Sequence, residues 1–77
     1  MSVEDKIKQL VLSELGAYHE VSVKRDKNRA GVLYFFITVD DYIGAIAARD
    51  IEPEAGGIST AVVYFCKTYR AYRGEGV

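Results

Sequence analysis

Tryptophan is absent from this chain, and cysteine, proline and methionine occur once each. A lone Cys66 excludes an intramolecular disulfide framework and is compatible with a reducing compartment. Net charge is close to nil, at −1, so the global electrostatic footprint of a nucleic-acid binder is missing. No uncharged run approaches the roughly 20 residues of a membrane span, and no leader peptide is visible. A cytoplasmic address is therefore expected, which for a viral chain is the host cytoplasm. Zinc-ligand spacing, a phosphate-cradling glycine loop and a paired-carboxylate signature are all lacking. Hence no catalytic residue, no metal, no cofactor and no small-molecule substrate are expected, and the chain does not read as an enzyme.

What is present is the composition of an ordinary folded protein, 49% hydrophobic and 27% charged in 77 residues. It makes one domain, 1–77, near the lower limit for a self-sufficient core. A chain of this size buries only about 60% of its unfolded surface. Covering a sheet face in a homo-oligomer would add stability.

The chain is organised around Gly31-Val-Leu-Tyr-Phe-Phe-Ile-Thr-Val39, whose β-branched and aromatic residues predict a strand over 31–39. Leu33, Phe35, Ile37 and Val39 form one wholly apolar side. Val32, Tyr34, Phe36 and Thr38 form another that is apolar but carries hydroxyls. Ahead of it, Ser2 with Glu4 and Asp5 opens a helix over 3–15. Its stripe is Val3, Ile7, Leu10, Val11 and Leu15, and Gly16 stands at its C-terminal cap. Alternation of Val21 and Val23 with Glu20, Ser22 and Lys24 predicts a strand over 18–25. The turn residues 26–31 then join the two strands into an antiparallel hairpin with a basic tip.

Residues 42–49 admit two readings. Ala45, Ala47 and Ala48 after an Asp40–Asp41 cap favour a short helix. Tyr42, Ile43 and Ile46 suit a third strand, with Gly44 marking a bulge. Pro53, Gly56 and Gly57 punctuate a loop over 50–58. A last helix spans 59–73, with Ser59 as its cap. Val62, Phe65, Cys66, Tyr69 and Tyr72 share one of its faces, opposite Lys67, Arg70 and Arg73; a tail follows over 74–77. The fold class is α+β: two layers, a small antiparallel sheet with helices on one face. Its other face, bearing Tyr34 and Phe36, must then meet something else.

Charge is distributed in blocks. Lys24, Arg25, Lys27 and Arg29 outweigh Asp26, and Lys67, Arg70 and Arg73 form a second basic group. Between them Asp40, Asp41, Asp50, Glu52 and Glu54 outweigh Arg49. These acids lack the spacing of a calcium loop and suit a solvated patch or half of a charged interface. His19 and Cys66 are the residue types of a base and nucleophile, but Cys66 lies on the apolar stripe, where a buried small hydrophobe is expected.

The order from 3 to 73 resembles the bacterial-type K-homology RNA-binding fold. Val39-Asp-Asp-Tyr-Ile-Gly44-Ala-Ile46 is similar to the approach to that family's Gly-x-x-Gly loop, and 59–73 to the helix after it. The resemblance implies a loop between two helices that clamps a nucleic-acid backbone. With Gly44 as the first loop glycine, Ala47 stands at the second and Ala45-Ile46 supply no basic residue. With the loop at Ala48-Arg49-Asp50-Ile51, both glycines are absent and Asp50 faces a phosphate. In either case the family's closing strand is missing. With 42–49 as a strand, the order instead resembles the double-stranded-RNA-binding domain. That family's last helix begins with lysines, where Ser59-Thr-Ala-Val-Val63 carries no charge.

Two functions follow as expectations. The first is a non-catalytic protein-interaction module, oligomeric through its open sheet face, similar in size and composition to phage- and virus-encoded inhibitors or adaptors. Its interface residues are Tyr34, Phe36, Tyr64, Tyr69, Tyr72, Asp40, Asp41, Asp50, Glu52 and Glu54, since tyrosine brings large area with a polar tip. The partner is another protein or a second copy, with no membrane involved. The alternative is nucleic-acid binding by Lys24, Arg25, Lys27, Arg29, Lys67, Arg70 and Arg73.

Overall fold

The structure is a computed structural model that describes residues 2–74. The first helix, α1, runs Val3–Leu15. The Ser2 hydroxyl accepts the Asp5 N–H at 3.1 Å, and Glu4 and Asp5 sit at the positive helix end. Gly16, at φ 105, donates its N–H to the Leu12 carbonyl and stops the helix. Ile7 and Val11 are fully buried at the centre of the stripe.

Three strands follow as an antiparallel meander: β1 (Val21–Lys27), β2 (Leu33–Val39) and β3 (Tyr42–Ala47), in the order β1-β2-β3. β1 begins three residues later than the alternation predicts, because 17–20 are spent crossing from α1 to the sheet. At the β1–β2 tip the Asn28 side chain accepts the N–H groups of Ala30 and Val32, and Gly31 takes φ 81. Strand pairing therefore begins at Lys27↔Leu33 rather than at Gly31.

Residues 42–47 are a strand, not the short helix that the alanines favour. Val39 pairs with Tyr42, leaving only Asp40 and Asp41 to turn the chain. Asp40 has φ 55, the left-handed conformation that tight hairpins demand and aspartate tolerates. Register runs unbroken from Val39↔Tyr42 to Tyr34↔Ala47, so Gly44 marks no bulge. It is a point of close approach instead: a Cβ there would come within 2.5 Å of the Phe65 ring. In the Gly44–Ala47 register both glycine positions of a K-homology loop thus fall within β3, and in the 48–51 register they fall in a 3-10 turn that follows a strand rather than a helix. The observed α–β–β–β–α order is the one the double-stranded-RNA-binding resemblance implies.

The stretch 50–58 is largely ordered as two 3-10 turns, Ala48–Ile51 and Pro53–Ala55. The second helix, α2, runs Gly57–Tyr72 and starts two residues before Ser59. Gly56, in the left-handed conformation, is its cap in place of Ser59, and the Thr60 hydroxyl bonds the Gly56 carbonyl at 2.8 Å. Of the tail 74–77, Gly74 turns the chain at φ 77 and residues 75–77 lie outside the described residues.

α1 packs over β1 and α2 over β3, side by side on one face of the sheet. Between the layers lie Ile7, Val11, Val21, Phe35, Ile37, Val39, Ile46, Val62, Phe65, Cys66 and Tyr69. The architecture is the expected two-layer α+β. None of the described helices is long and apolar enough to cross a membrane.

Candidate interaction surface

Because both helices lie on one face, no helix or strand among the described residues covers the other face of the sheet. In the strand register, Ser22, Lys24 and Asp26 of β1 stand beside Thr38, Phe36 and Tyr34 of β2, and these beside Ile43, Ala45 and Ala47 of β3. Tyr34 and Phe36 are neighbours on this face, with ring centroids 6.0 Å apart. Both are half-buried, Ala47 beside Tyr34 is buried, and Ile43 is 68% exposed. Lys24 and Asp26 form a loose pair at 3.9 Å along the β1 margin. The result is an apolar band along β2 and β3 with a polar rim on β1.

A second feature lies at the β3 edge. Between that edge and α2 runs an open groove of about 420 Å³, lined by Gly44, Ala45 and Ile46 of β3 and by Ala61, Tyr64 and Thr68 of α2, among others. Tyr64 is 72% exposed on its wall, and Asp50 borders it. Tyr72, 57% exposed, stacks on Tyr42 at 4.7 Å beyond one end.

A third is a polar knot at the β2–β3 turn. The Asp40 carboxylate accepts the Glu20 N–H at 3.2 Å and the Tyr69 hydroxyl at 3.1 Å. Its Oδ2 also lies 2.9 Å from His19 Nδ1, which donates in the matching tautomer. The His19 hydrogen bond above all, then the Glu20 N–H, holds the Asp40 carboxyl below its ordinary value. Arg73 adds a bond to Asp41 at 3.0 Å and lies over the Tyr69 ring. This knot ties α2 to the sheet. It takes Tyr69, with 2% exposure, out of the expected interface, because that ring is core and only its hydroxyl reaches the turn.

The acids accordingly divide. Asp40 and Asp41 are engaged by His19, Tyr69 and Arg73, whereas Asp50, Glu52 and Glu54 stand exposed around the 3-10 turns. Among the described residues no three of His, Cys, Asp and Glu gather into a group that would hold a metal ion. Cys66 is fully buried, and burial pushes its thiol up to about 11. At neutral pH it is a protonated hydrophobe, not a nucleophile.

The basic residues do not assemble into one track. Lys27 and Arg29 sit at the β1–β2 tip, while Arg70 and Arg73 lie at the other end of the sheet, near the Asp40 turn. Seven residues of strand separate those ends by roughly 23 Å. Arg25 bonds Glu4 at 3.2 Å and covers the Phe35 ring, and Arg70 bonds the Glu14 carbonyl at 2.9 Å. Lys67 is exposed on α2, and the first turns of that helix carry no cation.

Sequence patterns miss Ile43 and Ala45 as surface residues, because they become so only when 42–47 is a strand. The signal was the continued alternation of Tyr42, Gly44 and Ile46 against Ile43, Ala45 and Ala47. In comparison with known proteins, no family model matches this chain, and neither does any curated protein or solved structure.

Proposed function

We propose that this chain is a non-catalytic protein-interaction module of the cytoplasm, which associates with a second copy of itself through the open sheet face. The observation that carries this reading is the uncovered band of Tyr34, Phe36 and Ile43 on a sheet whose other face has a complete core. Apolar area of this kind is stabilised by removal from water, at about 25 cal/mol per Å². Stacking one open face on another supplies that removal without any change in fold. The buried, protonated Cys66 and the structural commitments of His19 and Asp40 support a role without catalysis.

Analytical ultracentrifugation over a concentration series tests it. The expected result is a mass that rises from one chain towards two, with Phe36→Glu monomeric at every concentration. A single-chain mass up to millimolar protein overturns it.

A second reading, nucleic-acid binding, has the α–β–β–β–α element order in its favour. It predicts affinity for duplex RNA that falls steeply with salt, by a log–log slope near 0.9 per phosphate contact on B-DNA and of similar kind here. Lys27→Ala, Arg29→Ala and Lys67→Ala would each flatten that slope. Absence of binding at low salt removes this reading.

A further inference from the structure

We propose that the outer edge of β3, with the flank of α2 beside it, is a docking groove for an extended segment of another protein. That segment is apolar at alternate positions and carries a lysine or arginine at the end lying against Asp50. This rests on reading the chain as a protein-interaction module, and it names the class of partner.

The two sheet edges differ in how they are guarded. β1 carries Lys24, Arg25, Asp26 and Lys27, the charged dress by which proteins keep foreign strands from an edge. β3 runs Tyr42–Ala47 without a charge or a proline. Apart from Ala47, which caps the following 3-10 turn, its residues take part in no turn, loop or cap backbone hydrogen bond among the described residues. Its outward N–H and C=O groups are the template that an added strand uses.

The surroundings fit a strand better than a compact ligand. A strand added to β3 runs about 4.8 Å from it, with alternate side chains turned towards α2. There they meet the groove, whose helical wall of Thr60, Ala61, Tyr64 and Thr68 is uncharged. The intervening side chains fall beside Ile43 and Ala45 on the open face. At the groove's end Asp50 is its one lining carboxylate, and Glu52 and Glu54 follow in the next turn. None of these three acids forms an ion pair among the described residues. A basic group on the incoming strand would meet three such acids against the single cation Arg49.

A second copy of β3 is the poorer occupant. Antiparallel pairing about a two-fold axis puts both α2 helices on the same side. Since α2 lies over β3, with Phe65 on Gly44, the two copies of α2 would compete for the space above the seam. Parallel pairing sends the helices to opposite faces but brings the two acidic corners, Asp50, Glu52 and Glu54, to the same end.

Fluorescence polarisation with the labelled peptides Lys-Thr-Val-Thr-Val-Thr and Thr-Val-Thr-Val-Thr-Lys, in which lysine and valines share one face, tests the proposal on the full chain. One of the two is expected to bind saturably, and glutamate in place of its lysine to weaken binding about three- to tenfold. Asp50→Lys, an exposed change, reverses that preference. N-methylation of the peptide backbone abolishes binding at one parity of positions and not at the other. Amide shifts in the NMR spectrum of the chain confine themselves to β3 and the groove side of α2.

Absence of saturable binding, indifference to the lysine–glutamate exchange, or shifts centred on Tyr34 and Phe36 would each overturn the proposal. So would self-association that the peptide abolishes, because the edge would then belong to a second copy. Phe36→Glu should leave peptide binding intact while removing self-association. The edge and the open face therefore fail independently.

Discussion

The two sides of β2 are almost equally greasy and differ completely in their fate. Phe35, Ile37 and Val39 are at most 2% exposed beneath the helices, while Tyr34 and Phe36, one residue away, lie under no layer at all. Hydrophobicity does not distinguish them, since a strand presents both sides to whatever the chain can bring. The difference is one of supply. The described residues furnish two α-helices, and the connections of α1 to β1 and of β3 to α2 deliver both to the same face. Burial is decided by the amount and routing of covering structure as much as by the residues to be covered.

That contrast is most sharply tested by truncating one residue on each side. Ile37→Ala should destabilise the fold by about 2–5 kcal/mol, through lost transfer energy and a cavity that cannot collapse. Against a total of about 5–15 kcal/mol for a domain, this is a large share. Phe36→Ala should cost under about 1 kcal/mol in dilute solution, where no partner covers it. Urea denaturation of both variants measures the gap, and equal losses would mean that the open face is covered in the monomer.

On the covered side, Gly44→Ala should cost about 1–3 kcal/mol, because the added methyl meets the Phe65 ring and α2 must lift. At Ala45, its neighbour on the open side, a change to valine should be neutral or mildly stabilising in the same denaturation series.

Asp40→Asn probes the knot that holds α2 down. Asparagine keeps the left-handed turn and an acceptor for the Glu20 N–H but loses the charge. The folded carboxyl titrates below its ordinary 3.8, so its stabilisation is fully present well above that value. It is lost as the pH falls through the lower, folded value. Thermal melts from about pH 6 to about pH 2 should show the wild type above the variant, with the gap closing on the acid side. A gap that widened in acid would reverse the assignment.

The gentlest test is chemical. Cys66, buried and with its thiol at about 11, should resist iodoacetamide at neutral pH until denaturant is added. In Phe36→Cys the new thiol should label in the native state, and burial of that face by self-association should slow the reaction as protein concentration rises.

How far these features could be read from the residues varies with how local their causes are. α1 is legible to the residue, because Ser2, the 3–4 spacing of Ile7 and Val11, and Gly16 act within a few positions of one another. The strand character of 31–39 is equally plain in its β-branched and aromatic content. β3 is not, since alanine-rich 42–47 has weak preferences and becomes a strand only because β2 offers it an edge. The start of α2 shifted to Gly57 because two glycines with positive φ, Gly56 and Gly57, can turn the chain where Ser59 would merely cap it. The shared sheet face of Tyr34 and Phe36 was evident from alternation. Tyr69 was misplaced because its hydroxyl reaches the turn while its ring stays in the core.

By itself the amino-acid order determined the first helix and the central strand with its two apolar sides. Such features depend on periodicity and on residues a few positions apart. Only the tertiary structure decided that 42–47 pairs with β2, that Asp40 gathers His19 and Tyr69 from distant segments, and that one sheet face and one edge stay open. Those outcomes depend on where two helices come to rest, and that position is the joint result of contacts spread over the whole chain rather than of any local pattern.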